Sequence, residues 1–163
     1  MSIRTADLCE RHASRQHLQI PEPLFQSFGK IRRFSGRITT LKIFEDDGLI
    51  RETLSQPGQG RVLVIDGGGS HRCGVIDAAM CTSAVEHGWH GIIVYGCIRQ
   101  RDAIDVQAVG IRALHSHPMP AHHRGGGDRD LLISFAGVNF RHDHFVYVDE
   151  DGIVVSEEDI AAD

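Results

Sequence analysis

Apolar positions along this chain alternate between two spacings. Residues 61–66 and 92–95 are unbroken runs of mostly β-branched side chains, which suits strands covered on both faces. Between them, residues 74–87 place Val75, Ala78, Ala79, Ala84 and Val85 at helical spacing, with Gly88 able to close the helix in the left-handed conformation. Strand, glycine loop, helix and strand in that order predict a βαβ unit.

Upstream, a cap at Thr5 predicts a short helix over 5–12, and Pro21-Glu22-Pro23 forces extended backbone. Residues 35–44 read as a strand turned by Asp46-Asp47-Gly48, and 49–54 as a short helix stopped by Gln56-Pro57-Gly58. Downstream we expect a helical turn over 104–109 and a strand over 111–117 ended by Pro118. Pro120 and Gly125-Gly126-Gly127 predict a mobile surface loop over 118–129. Further strand runs lie at 131–135, 138–140, 145–148 and 153–155, the last two joined by the hairpin-type turn Asp149-Glu150-Asp151-Gly152. The class is mixed α/β, with a βαβ layer joined to antiparallel structure. No repeat or linker divides the chain, so residues 1–163 are read as one domain.

Composition narrows the function classes. At 41% hydrophobic and 24% charged residues the chain has globular composition, and 163 residues bury a sizeable core without a disulfide scaffold. Seventeen Lys and Arg against 22 Asp and Glu leave a net charge of -5, which argues against direct binding of nucleic acid phosphates. No apolar run approaches the roughly 20 residues that span a bilayer, and the first residues lack a signal-type apolar core, so a soluble, cytoplasmic protein without membrane partners is expected. Cys9, Cys73, Cys81 and Cys97 form no Cys-x-x-Cys pair and are read as reduced.

Three constellations carry candidate chemistry. Asp66-Gly67-Gly68-Gly69-Ser70, read as lying between strand and helix, is either an anion site built from backbone N–H groups or a tight turn without a ligand. It lacks the Gly-Lys-Ser/Thr of a phosphate-binding loop and, with Arg72, the dinucleotide spacing. Arg99 follows the second strand, where adjacent strand ends line one crevice; it either completes a carboxylate or phosphate clamp or is a surface charge or a subunit salt bridge. His115-x-His117, His122-His123 and His142-x-His144 suggest metal binding, but no acidic or cysteine partner stands at a recognisable spacing, so they read as surface or loop histidines.

Taken together, the motifs resemble a known family. Glu22-Pro23-Leu24-Phe25, Lys42-x-Phe44-Glu45-Asp46, the stretch Gly60 through Ser70, Gly91-Ile92-Ile93-Val94-Tyr95-Gly96-x-Ile98-Arg99-Gln100, Phe135-Ala136-Gly137-Val138-x-Phe140 and Asp149-x-Asp151-Gly152-Ile153 are similar to the regulator of ribonuclease activity A family. Its relatives include 4-hydroxy-4-methyl-2-oxoglutarate aldolases and oxaloacetate decarboxylases. The resemblance implies a swivelling β/β/α domain similar to phosphohistidine domains, assembled as a homotrimer with a cleft between subunits.

It further implies a cleft for a small anion or substrate formed by Gly67, Gly68, Gly69, Ser70, Asp77, Ala78, Ala79, Met80 and Arg99. In the aldolase relatives the arginine orients a 2-oxo acid and a following aspartate helps hold a divalent metal. Here Ala78 takes the place of a family glycine, Gln100 stands at the metal-ligand position, Ala103 replaces an acidic residue, and Asp102 is displaced in register. The resulting expectation is a regulator without cofactor that binds RNase E, or degradosome partners such as RNA helicases, and slows RNA turnover. The alternative is a Mg²⁺- or Mn²⁺-dependent aldolase or decarboxylase.

Overall fold

The computed structural model describes residues 3–12, 14 and 18–161. Its elements are α1 (Thr5–His12), β1 (Gln26–Phe28), β2 (Phe34–Lys42), α2 (Gly48–Leu54), β3 (Val62–Asp66), β4 (Gly74–Ile76), α3 (Ala78–Glu86) and β5 (Gly91–Tyr95). There follow β6 (Cys97–Ile98), α4 (Arg101–Asp105), β7 (Ile111–Ala113), β8 (His115–Ser116), β9 (Asp128–Arg129), β10 (Ile133–Phe135), β11 (Val138–Phe140), β12 (Phe145–Val148) and β13 (Ile153–Ser156). The main sheet runs β1-β7-β5-β3-β2-β12-β13, with β9 on β2. Its centre is parallel and its flanks antiparallel. The sheet curls, so that Arg112 on β7 reaches the Asp149 carbonyl beyond β12.

The unbroken apolar runs fold as their chemistry demands. On β3, Val62 and Val64 face one core with Ile38, Phe135 and Phe140, while Leu63 and Ile65 face another with residues of α2 and α3. Strand β5 alternates in the same way, with Ile93 on the first side and Ile92 and Val94 on the second. Strands β3 and β5 are parallel neighbours with α3 between them in sequence, which is the expected βαβ unit.

Three local expectations are corrected. Residues 74–87 are not one helix: Gly74–Ile76 forms β4, which pairs in parallel with β6, itself paired with β8 in a second, three-stranded sheet. β-branched Val75 and Ile76 favour this extended start. A Cβ at Gly74 would lie 2.7 Å from the Arg99 Cβ, so glycine is what lets the two strands meet there. The helix starts only after Asp77, whose carboxylate accepts from the Met80 amide at 2.9 Å. The helical turn placed at 104–109 lies earlier, at Arg101–Asp105.

The segment 118–129, read as mobile, is instead tied down. His122 donates to the Glu45 carbonyl and accepts from the Asp47 amide, and the Asp46 carboxylate accepts from the amides of Arg124 and Gly125. Burial opposes ionisation of Asp46, but backbone donors from Gly48, Gly125, Arg124 and Gly126 outweigh it and hold the carboxyl below its ordinary value. Polar composition alone did not reveal these anchors.

A buried carboxylate also moors α1. Asp149 is 4% exposed and accepts from both the Thr5 amide and hydroxyl at 2.7 Å. Burial raises its pKa, yet the Thr5 and Asp151 donors overcome that, and the net shift is downward. A carboxyl with a depressed folded-state pKa stabilises the fold above its unfolded value of about 3.9 and ceases to do so as pH falls through the lower folded value. Asp149→Ala is expected to cost about 2 kcal/mol at neutral pH and to speed amide hydrogen exchange in α1. Unchanged exchange there would show that Leu8 packing on Tyr147, Val154 and Ile160 suffices.

Candidate functional site

The candidate site gathers at the start of α3. Ala78 is clamped from both sides: its N–H donates to the Gln100 Oε1 at 3.0 Å, and its carbonyl accepts from the Gln107 Nε2 at 3.0 Å. Asp77 and Met80 close the cap, and no bond from the Ala79 N–H, in the first turn of the helix at its positive end, is seen among the described residues. Arg99 lies beside this turn, its own N–H on the Ile76 carbonyl at 2.8 Å. Its half-buried guanidinium makes only one long contact, Nε to the Pro118 carbonyl at 3.4 Å, and no ion pair among the described residues. A guanidinium without an ion pair among the described residues, on a residue whose backbone abuts the start of a helix, has the chemistry to take an anion.

The glycine loop is built differently. The N–H groups of Gly67 and Gly69 donate to the Tyr95 carbonyl at 3.1 and 3.0 Å, Gly68 donates to the Asp66 carboxylate at 2.9 Å, and the Ser70 amide points back to Gly67. Its amides are therefore consumed in a tight turn that ties the end of β3 to β5, and β4 separates it from the helix. Ser70 Oγ donates to Glu45 at 2.6 Å, and Arg72 pairs with the same carboxylate at 2.7 Å. Hydrogen bonds from Arg72 and then Ser70 lower the Glu45 pKa. Of the sequence-derived residues, Asp77, Ala78, Ala79, Met80 and Arg99 come together, whereas Gly67, Gly68, Gly69 and Ser70 pack against Phe44, Glu45 and Tyr95.

Sequence reading missed a chain of charges leading into the site. The His123 Nδ1 contacts the carboxylate of Asp47, which is 3% exposed. Arg51 Nη2 lies 3.2 Å from Asp47 and 3.0 Å from Asp77, so the guanidinium bridges two carboxylates and orients the helix cap. The only sequence signal was proximity of Asp47 to a turn and a histidine pair in a loop. The buried thiols offer no nucleophile: burial raises Cys73 and Cys97, and pushes Cys81 up to about 12.

A resident divalent cation does not fit these donors. Gln100 presents a neutral oxygen already engaged by the Ala78 amide, on a left-handed backbone (φ 60°). Ala103 carries no donor atom on its side chain, and Asp77 is committed to its cap and to Arg51. Among the described residues no three His, Cys, Asp or Glu side chains converge where an ion could sit.

Comparison with known proteins agrees with the fold. Residues 5–155 match the RraA-like family, described as aldolase/RraA. A Methylococcus capsulatus protein named "Putative 4-hydroxy-4-methyl-2-oxoglutarate aldolase" is 60% identical over 97% of this chain and 98% of its own length. A protein of the same name from Aromatoleum aromaticum is 50% identical over 96% of this chain and 98% of its own length. Among solved structures, the RNA-processing inhibitor RraA from Thermus thermophilis superposes with a TM-score of 0.92 at 34% identity, over 97% of this chain and 94% of that one. A Geobacillus kaustophilus structure described as an S-adenosylmethionine:2-dimethylmenaquinone methyltransferase gives 0.92 at 39% identity, over 99% of both chains. With its curled mixed sheet, its βαβ unit and these near full-length matches, the chain belongs to the RraA-like family.

Proposed function

We propose that this protein is a lyase of the family's aldolase side, acting on short 2-oxo acids in the crevice between Arg99 and the start of α3. The observation that carries this reading is the Arg99 guanidinium, which has no ion pair among the described residues and belongs to a residue held by its backbone against Ile76 just before α3, in a chain 60% identical to a protein bearing an aldolase name. Arg99 takes the substrate carboxylate in its fork of donors, and the Ala79 N–H donates to a further oxygen. Gln100, Gln107 and the Arg51–Asp77 pair hold that turn in place before substrate arrives. The donors of this chain do not fit a divalent cation, so the substrate is held by the chain's own side-chain and backbone donors. We also propose a cytoplasmic homotrimer, as the family resemblance implies.

A second reading is favoured by Gln100. Its amide has a structural task at the family's metal-ligand position, and the 34% identical Thermus relative is named an RNA-processing inhibitor. In that reading the protein restrains RNase E, alone or through degradosome helicases, and its net charge of -5 complements an arginine-rich segment of the partner.

The two are separated by assaying pyruvate release from oxaloacetate and from 4-hydroxy-4-methyl-2-oxoglutarate, with and without Mg²⁺ or Mn²⁺, alongside RNase E cleavage of a defined RNA. Turnover supports the lyase; inhibition without turnover supports the regulator. Oxalate, a planar mimic of the pyruvate enolate, is expected to bind Arg99→Ala about tenfold more weakly than the parent, because solvent screens part of the attraction of a half-exposed charge. Equal thermal shifts with oxalate in both proteins would remove Arg99 from the site.

A further inference from the structure

The chain of ion pairs behind the α3 cap ends at the surface in a side chain that can change its charge. Asp47 stands at the N-cap position of α2, yet its carboxylate makes no cap hydrogen bond there. Buried, it is spent sideways instead, on the His123 Nδ1 and on Arg51 Nη2 at 3.2 Å. Arg51 Nη2 reaches on to Asp77 at 3.0 Å, and Asp77 caps α3 through the Met80 amide at 2.9 Å. Four side chains thus run from an exposed imidazole to the turn that abuts Arg99, whose own N–H donates to the Ile76 carbonyl at 2.8 Å.

Charge counting gives this chain a consequence. With a neutral imidazole, the two carboxylates of Asp47 and Asp77 face the single guanidinium of Arg51, and one negative charge is left in excess beside the α3 start. An imidazolium at His123 cancels it. Burial opposes the charge on Arg51, but Asp77 and, after it, Asp47 outweigh burial and hold its pKa above the ordinary arginine value, so the guanidinium is a fixed charge shared by both acids. Histidine is the side chain that ordinarily changes charge between about pH 5 and 8. The carboxylate at Nδ1 keeps a proton on that nitrogen, and Nε2, on a side chain 61% exposed, exchanges the second proton with water.

The other charged groups around the ring have tasks of their own. Asp46 accepts from the amides of Gly48, Arg124 and Gly125, Glu45 is engaged by Ser70 and Arg72, and Glu52 of α2 pairs with Arg129 at 3.1 Å. Arg124 flanks His123 as a permanent cation. His122, exposed on the other flank, is a second histidine whose attraction acts on Glu45, and it supplies the control.

We propose that His123 is a pH-responsive positioning residue for the α3–Arg99 site. Its imidazolium satisfies Asp47, leaves Arg51 to Asp77, and removes the excess negative charge that repels an anion at the start of α3. Carboxylate binding there tightens as pH falls through the histidine range. This inference rests on the Arg99 anion site proposed above. Linkage makes the effect reciprocal, since an anion bound at Arg99 must favour the protonated ring by the same factor.

The test is a calorimetric titration of the full chain with oxalate between about pH 5.5 and 8.5, with the histidine ring signals followed by NMR. Oxalate stays a dianion over this range, so a change in affinity reports the protein. The parent should bind it about threefold more tightly at the acid end, and saturating oxalate should raise the midpoint of the His123 ring titration by about 0.5 in pH. His123→Gln should hold the weaker affinity at every pH. His123→Arg, a permanent cation on Asp47, should hold the tighter one. The exposure of His123 lets both changes be made without touching the core, and His122→Gln should keep the parent's pH dependence. A pH dependence that survives in both His123 variants, one that disappears in His122→Gln, or a His123 ring unmoved by saturating oxalate would overturn the inference and leave the Arg99 site standing. Absence of oxalate binding at every pH would overturn both.

Discussion

Replacing Phe140 with alanine is expected to lower the unfolding free energy by about 3–5 kcal/mol. Phe140 is fully buried on β11, its ring stacked on Phe135 with centroids 4.5 Å apart, and Phe135 stacks in turn on Tyr95 at 5.1 Å. These three rings join the β10–β11 hairpin to β5 of the main sheet. Removal of the Phe140 ring leaves a void that β-branched residues of the same cluster such as Val64, Ile133 and Val146 fill poorly, because their χ1 angles are restricted. Urea unfolding monitored by circular dichroism measures the loss. A cost below about 1 kcal/mol would mean that the hairpin settles onto the sheet and closes the void. Oxalate affinity below the unfolding transition should be unchanged, since the α3 turn rests on Gln100 and Gln107 and not on this stack.

Gln100→Asp is expected to raise Mg²⁺ or Mn²⁺ affinity by between about ten- and a hundredfold, by substituting an anionic oxygen for a neutral amide oxygen. The backbone accommodates the change: residue 100 lies at φ 60°, ψ 46°, a left-handed conformation that aspartate tolerates better than most residues. The shorter side chain also releases the Ala78 N–H, so a second donor to an anion becomes available at the α3 start. Isothermal titration with Mn²⁺ on parent and variant decides the matter. Equal affinities would show that position 100 does not govern ion binding. Strong metal-dependent turnover by the parent, abolished by EDTA, would assign the ion to donors other than Gln100.

The site was legible in the sequence to different depths. Arg99 was reachable because it belongs to a motif in the correct order, and Asp77 through Met80 because the family resemblance implies them in the cleft, even though the local reading placed residues 74–87 in one helix. The glycine loop invited an anion role because Gly67-Gly68-Gly69 permits close backbone approach. What it approaches is the Tyr95 carbonyl, a partner set by the parallel register of β3 and β5. Composition likewise suggested a loose loop over 118–129, since nothing local announces that Asp46 will accept from Arg124 and Gly125, nearly eighty positions away.

By itself the sequence determined the elements whose chemistry is local: strands where unbroken β-branched runs must be covered on both faces, a helix end where Gly88 allows it, and the family through motifs in order. Tertiary structure decided what depends on distant groups meeting. The Arg51–Asp77 bridge spans 26 positions, the His123–Asp47 contact 76, and the Arg112 bond to the Asp149 carbonyl 37. A side chain's charge and length are written in the sequence, but its partner is selected by which strands curl together, and that selection leaves Arg99 and Arg112 without a carboxylate in contact among the described residues while it pairs Arg51 twice.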